Sequence, residues 1–573
     1  GTGPLRTHIL PWMLATTNLD ALRSALGHFS EAAAACPSLL AATPALLEDV
    51  TNVCLQLASS ATGQGKDGSA SNTTSTATAD IRLAALEVLT TILSVGDVKR
   101  RVIPAALASM IATAALPVCA QLLVEGTDDN VQDWATEPAT LVDDAFDGGD
   151  DDEQAWFAES LMESFLRHLG APALQVVLPL CETLLASTDW AHAHAGLAIL
   201  ECALEATPVS VAVHTDVMIN AAASLAASPN VRVQHRALRL LGVLCGAPQQ
   251  QLQPSHSKLL LERLAGALSN PCTKVSATAS LSLVSFCRGT EDAESTILPF
   301  LSDLLTALVR GPLSLTDNDT GSITTRVRAM GATACLAEAV GEAFAPMYPQ
   351  IMPGLLATAQ QPAVELAGAA VEAASIVGRA VGRDVFYADA VQLLSWIVPT
   401  LASDNPIDAL LLACARIASV LEEEFGPYTN AVLPVLLRQA EQPPDVSVME
   451  GEEGQERDDA DDSMTVAVPG RGIVKVSINT TKIQEKAQAA RAVYELAKAM
   501  GAAFGPWAPQ CLDAFLPLVS FPYSADVRST AAQSLSAIFD AACAYGEATG
   551  SMQLPQRYLP LLAEAISKQI ATE

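Results

Sequence analysis

The residues of this chain that could do chemistry are a histidine pair, an aspartate cluster and scattered acids and cysteines. His192 and His194 follow Trp190 in the stretch DWAHAHAG. Residues two apart project from different sides of a helix, so the two imidazoles are poorly placed to share a metal ion. A contact at a helix start is their more ordinary role. The acidic run Asp143, Asp144, Asp147, Asp150, Asp151, Asp152 and Glu153 lacks the spacing and the terminal Glu of a calcium loop. No phosphate loop, GxSxG elbow or HExxH helix is present. The sequence therefore predicts no catalytic residue, no metal site, no cofactor and no enzyme.

Six acids in otherwise apolar helical stretches remain: Glu87, Glu201, Glu205, Glu338, Glu372 and Glu495. Any one of them would ordinarily be a solvated ridge residue. Their recurrence favours a collectively acidic groove, in which an extended Lys-rich peptide is held by charge-assisted hydrogen bonds. Trp190, Trp396 and Trp507 could stack on lysine stems there, although packing is their commoner use. The net charge of −31 points the same way, toward basic protein partners and away from direct nucleic-acid binding. The one tight basic cluster, Lys99–Arg100–Arg101, reads as a helix-end cap.

The elements that must position these acids announce themselves by repetition. Gly341–Phe344–Pro346–Tyr348, Glu422–Phe425–Pro427–Tyr428 and Gly501–Phe504–Pro506–Trp507 each close one Ala/Leu-rich helical stretch and open another. The copies lie about 80 residues apart, with a degenerate copy around Phe386 between the first two, so the period is roughly 40, that of HEAT and armadillo helical pairs. A second element, Asp80-Ile-Arg82, Asn230-Val-Arg232 and Asp526-Val-Arg528, marks the starts of inner helices. There Asp or Asn is expected to cap the helix, and Arg to reach the Asp of the next repeat. The chain is half hydrophobic and poor in aromatics, as closely crossing helices require, and β-type alternation occurs only at Ile473–Val476. The expected fold is an all-α HEAT-repeat superhelical solenoid, a curved binding surface. Twelve cysteines, spaced singly, read as small core residues of a reducing compartment.

The organisation expected is HEAT repeats over 1–60, a flexible Gly/Ser/Thr-rich loop over 61–79, and a repeat with linker over 80–141. An acidic loop over 142–153 follows, then repeats over 154–442 as the cargo-binding region, an acidic insert over 443–482, and repeats over 483–573. The uncharged run Val102–Val124 is long enough to span a bilayer. Pro104, Pro117 and its polar residues make it read as two consecutive repeat helices, with no membrane insertion.

From about residue 20 to the end the chain resembles the importin-beta (karyopherin-beta) superfamily, and within it the karyopherin-beta-three type. The likeness is carried by ALEVLTTIL at 85–93, DDAFDGGDDDEQAWFAESLMESFLRHLGAPALQVVLP at 143–179 and STDWAHAHAGLAILE at 187–201. NVRVQHRALRLLG at 230–242, GRAVGRDVF at 378–386 and ACARIASVLEEEFGPY at 413–428 extend it in order and spacing. The resemblance implies a nuclear import receptor shuttling between cytoplasm and nucleus. Such a receptor binds basic localisation signals of cargo such as ribosomal proteins or histones on its concave face, contacts nucleoporins, and releases cargo to Ran-GTP. It also implies that this chain is the receptor's middle portion, with Ran gripped mainly by repeats missing here. Glu87, Glu205, Glu372 and Arg416 stand where the family pattern has the same residue, and Glu338 where relatives have Asp. Ser285 and Cys414 depart from the family's Asn and Trp. With Glu495 and Trp190, these matching residues form the expected cargo-binding set, and the acids of 143–153 the expected acidic loop. A HEAT scaffold without transport activity and a chaperone for basic proteins are the alternatives.

Overall fold

Helices here are built for stacking. Trp190–Ala206 is lined by Ala191, Ala193, Ala195, Gly196, Ala198 and Ala203, small side chains that let neighbouring backbones approach closely. The computed structural model describes residues 4–35, 44–59, 72–98, 104–127, 131–139, 153–247, 254–401, 408–443, 446–450, 463–468, 472–478 and 480–572. The chain divides into two compact units, Gly1–Ala332 and Thr333–Glu573, with the division falling inside the helix Thr320–Val340.

In the first unit the helices Leu19–Ala35, Asn72–Val98, Glu153–Leu169, Trp190–Ala206, Val231–Gly246 and Thr273–Gly289 each pack on the next and form one layer. A second layer, including Pro44–Ser59, Ala105–Gly126, Ala171–Leu185, Thr215–Leu225 and Pro254–Leu268, covers its other side. In the second unit Val364–Val381, Asp408–Leu421, Thr480–Met500 and Ala525–Thr549 continue the same pattern, backed by Arg383–Leu401, Gly426–Glu441, Ala508–Phe515 and Gln553–Thr572. Within each unit the helices of the first-named layer pack on one another more closely than those behind them. The fold is the all-α HEAT-repeat solenoid that the repeat period predicts.

The thrice-repeated phrase proves to be a hinge with an anchor. Gly341, Glu422 and Gly501 have φ of 56°, 52° and 52°, and each is followed by a 3-10 turn that reverses the chain. Glycine suits this left-handed position because it has no Cβ to clash. Phe344, Phe425 and Phe504 then plug the core with no exposed surface, as does Phe386 in the degenerate copy, where Gly382 has φ 82°. The closing aromatics staple the outer layer: Tyr348 Oη donates to Asp389 at 2.6 Å, and Trp507 Nε1 to Asn430 Oδ1 at 2.9 Å.

Several local expectations are corrected. The stretch 61–79 was expected as a loop, but Asn72–Val98 is one helix, so its last residues are helical, and the remainder lies outside the described residues. Asp80 therefore sits inside a helix and caps nothing. Asn230 does cap, accepting from the Arg232 and Val233 amides, whereas Ser524 takes that role ahead of Asp526. Of the arginines of this element, Arg82 pairs with Glu125 at 2.5 Å instead of an Asp, and Arg528 donates to the Phe521 carbonyl. The apolar run at 102–124 is one helix, Ala105–Gly126, with Pro117 inside it. This helix and the stretch Glu294–Ser314 are long and apolar enough to cross a membrane by length and composition. In the fold Ala105–Gly126 buries one broad face, with Ile111, Leu116, Cys119, Leu122 and Leu123 on it, against the helices it packs on, while Ser109, Thr113 and Pro117 stay exposed on the other. The 443–482 insert contains a three-stranded antiparallel sheet, with β3 (Gly472–Ile478) between β1 (Val446–Glu450) and β2 (Ser463–Val468). The alternation at Ile473–Val476 marked only its central strand.

Candidate functional site

Two of the expected acids in the second unit face solvent, and each already holds an arginine of the following inner helix. Glu338 pairs with Arg379 at 2.6 Å and Glu372 with Arg416 at 3.3 Å, with Arg416 also 3.5 Å from Ser375 Oγ. The carboxylates keep 58 % and 47 % of their side-chain exposure, and Arg416 only 19 %. This is the real charge ladder of the inner layer, running from Glu on one helix to Arg on the next. Arg416 thus offsets the charge of Glu372 where it stands. Glu495, on Thr480–Met500, is half-buried and makes no ion pair among the described residues. A third cluster lies nearby in sequence: Arg383 pairs with Glu424, which also accepts from Tyr387 Oη at 2.7 Å. The Tyr387 hydroxyl and then the Arg383 guanidinium hold the Glu424 carboxyl below its usual range.

In the first unit the expected acids separate into different roles. Glu201 is buried, accepting from Arg239 Nε at 2.7 Å with Arg236 Nε at 3.1 Å, and Arg236 reaches on to Glu159 at 2.6 Å. This network ties three successive inner helices and belongs to the core, not to a groove. Glu205, one turn later, is exposed. Glu87 is also exposed and lines a cleft of about 530 Å³ together with Arg23, Asp80, Gln154, Trp156 and Phe157. Arg23 is committed to Asp80 at 2.9 Å. Trp156, 53 % exposed, escaped the sequence reading because nothing in its spacing distinguishes it from a core aromatic.

Trp190 is half-buried, with the Arg232 guanidinium 5.8 Å from its ring centre. His192 Nδ1 lies 3.2 Å from the Asp189 carboxylate, the contact at the helix start that its position predicts. The same Arg232 lies 5.5 Å from Trp134, which belongs to a strap absent from the sequence reading, residues 131–139. The strap lies across the starts of inner helices. Lys274 Nζ sits 4.4 Å over the Trp134 ring and 2.9 Å from Glu137, and Cys272 Sγ contacts the Ala135 carbonyl. A Cβ on Gly321 would meet Pro138 at 3.0 Å, so the strap reaches that helix as well. Asp143, Asp144, Asp147, Asp150, Asp151 and Asp152 lie outside the described residues, and Glu153 begins the helix that carries Trp156. On the outer layer Val209, Val213 and Val217 form an exposed stripe at successive helical turns.

No family model matches the chain. Over 419 residues it is 26 % identical to importin subunit beta-3 of Saccharomyces cerevisiae, covering 71 % of this chain and 36 % of that protein. Over 231 residues it is 26 % identical to a probable importin-5 homolog of Dictyostelium discoideum, covering 39 % of this chain and 20 % of that one. Over most of its length the chain is thus similar in sequence to an importin of the beta-3 type. Solved structures of Kap121p share the fold: the complex with Pho4p matches with a TM-score of 0.76 at 21 % identity, over 97 % of this chain and 50 % of Kap121p. The complex of Kap121p with Nup53p matches to the same extent. The chain spans about half the length of the solved protein that it resembles, and a smaller share still of the curated relatives it matches.

Proposed function

We propose that this chain is the cargo-binding part of a nuclear import receptor that collects basic, Lys-rich localisation signals on its inner layer. The observation that carries the reading is the pair Glu338 and Glu372, acids on inner-layer helices that stay about half exposed while bridged to arginines. A carboxylate has about four acceptor sites, so each of the two can take a cargo ammonium while keeping its arginine. Binding is then multivalent and electrostatic, spread over Glu338, Glu372 and Glu495 in the second unit and over Glu87, Glu205 and Trp190 in the first. Arg416 shapes the site by restraining Glu372. The acidic loop 143–153 adds negative potential that steers basic cargo. Ran-GTP-controlled release, nucleoporin contacts and shuttling between cytoplasm and nucleus belong to the whole receptor in this proposal.

The test is fluorescence anisotropy of a labelled Lys-rich peptide titrated with this chain at low and physiological salt. The expected result is saturable binding that weakens with salt and is lost when the peptide lysines become alanine. Absence of binding at either salt overturns the reading and favours a scaffold.

A further inference from the structure

The chain holds one of its own lysines in a clasp whose parts are on view. Lys274 Nζ lies 4.4 Å over the Trp134 ring and 2.9 Å from the Glu137 carboxylate, so an aromatic face and an acid hold one ammonium between them. Arg383 is held the same way, 5.5 Å from the Tyr387 ring and paired with Glu424. The cleft between the inner helices Leu19–Ala35, Asn72–Val98 and Glu153–Leu169 presents the same two groups without the cation. Trp156, 53 % exposed, and Glu87 both line it. The Glu87 carboxylate has no ion pair or hydrogen bond among the described residues, and its main-chain carbonyl serves Thr90 and Thr91. The cation nearest to hand, Arg23, is taken by Asp80.

We infer that the Trp156–Glu87 cleft is a lysine-binding subsite, in which the Trp156 face and the Glu87 carboxylate together receive a lysine ammonium. The lining supplies an apolar wall from Leu83, Ala84 and Phe157, a polar neighbour in Gln154 and, in Glu87, one negative charge with no ion pair among the described residues. A cationic head on an aliphatic stem matches that set, whereas an acid is repelled and a purely apolar side chain leaves Glu87 unused. At about 530 Å³ the cleft has room for a lysine with its neighbouring peptide backbone. The subsite rests on the receptor reading above only for the source of the lysine, a basic cargo segment.

The experiment observes Trp156 directly. The chain, with its six tryptophans replaced by 5-fluorotryptophan, is followed by fluorine NMR, with Trp156 assigned through Trp156→Phe. It is titrated with Nα-acetyl-lysine methylamide and, separately, with the norleucine analogue, which has the stem without the charge. The Trp156 resonance is expected to shift saturably with the lysine compound, and about tenfold more weakly with the norleucine compound or with Glu87→Gln. An unmoved Trp156 resonance, or equal response to both compounds, overturns the subsite. In parallel, Trp156→Ala, checked to melt with the parent, should weaken binding of the labelled Lys-rich peptide about threefold to tenfold. Peptide binding that survives Trp156→Ala unchanged removes the cleft and leaves the receptor reading standing. A responsive Trp156 in a chain that binds no peptide keeps the cleft and removes the receptor reading.

Discussion

Glu338 on Thr320–Val340 and Arg379 on Val364–Val381 have carboxylate and guanidinium 2.6 Å apart, and both remain more than 40 % exposed. The arginine is consequently a built-in competitor for any cationic ligand of Glu338. Exposed pairs of this kind contribute about 1 kcal/mol or less to stability, so the pair can be edited without unfolding the chain. Arg379→Gln should strengthen binding of a Lys-rich peptide about twofold to fivefold at low salt. Glu338→Lys with Glu372→Lys should weaken it severalfold or more. Anisotropy titrations of the three proteins decide the matter: equal affinities would mean that cargo lysines do not visit this ladder.

Glu201 predicts the opposite behaviour. Its carboxylate is buried between Arg236 and Arg239, and removing it takes a buried ion pair at 2.7 Å from Arg239 and leaves Arg236 with Glu159. Glu201→Ala should cost about 3–5 kcal/mol of stability, seen as a lowered urea midpoint, far more than Glu205→Ala at its exposed position. Similar midpoints for the two variants would contradict a structural role for the network.

Glu422 stands at a turn position where the two sister copies have glycine. With φ of 52° it carries the strain of a left-handed non-glycine residue, about 1 kcal/mol. Glu422→Gly should recover part of that, while Gly341→Ala should lose a similar amount, since open space around Gly341 leaves backbone strain as the only penalty. Thermal melts of both variants test this, and opposite signs are required.

The layered fold was legible in the chain because a period near 40 and buried phenylalanines at matched positions leave few alternatives. Asn230 was legible as a cap, yet Asp80 and Asp526 were not, because the same tripeptide starts a helix only where the preceding residues fail to continue it. Candidate acids were found by type and spacing, but their fates were not. Glu201 and Glu205 are one turn apart on one helix, and only the arginines of the next helix decide that the first is core and the second surface. Trp134 and Trp156 were missed because their roles depend on what packs across from them, a relation that spans over a hundred positions for Trp134 and Lys274.

The buried cysteines give a pH prediction of fixed sign. Burial pushes the thiols of Cys54, Cys119, Cys181, Cys245 and Cys414 up from 9.0 to about 12. A group whose pKa is raised by folding favours the folded state fully below its unfolded pKa and loses that contribution as pH rises through the folded one. Stability should therefore fall between about pH 9 and 12, and the unfolding rate should rise over the same window. The thiols should also resist iodoacetamide at pH 8.5 until denaturant is added, because the thiolate is the nucleophile and none forms in the core. Mass spectrometry of alkylated native protein checks this site by site. Rapid labelling of Cys245 or Cys414 without denaturant would mean that the inner helices open locally, far more readily than their packing allows.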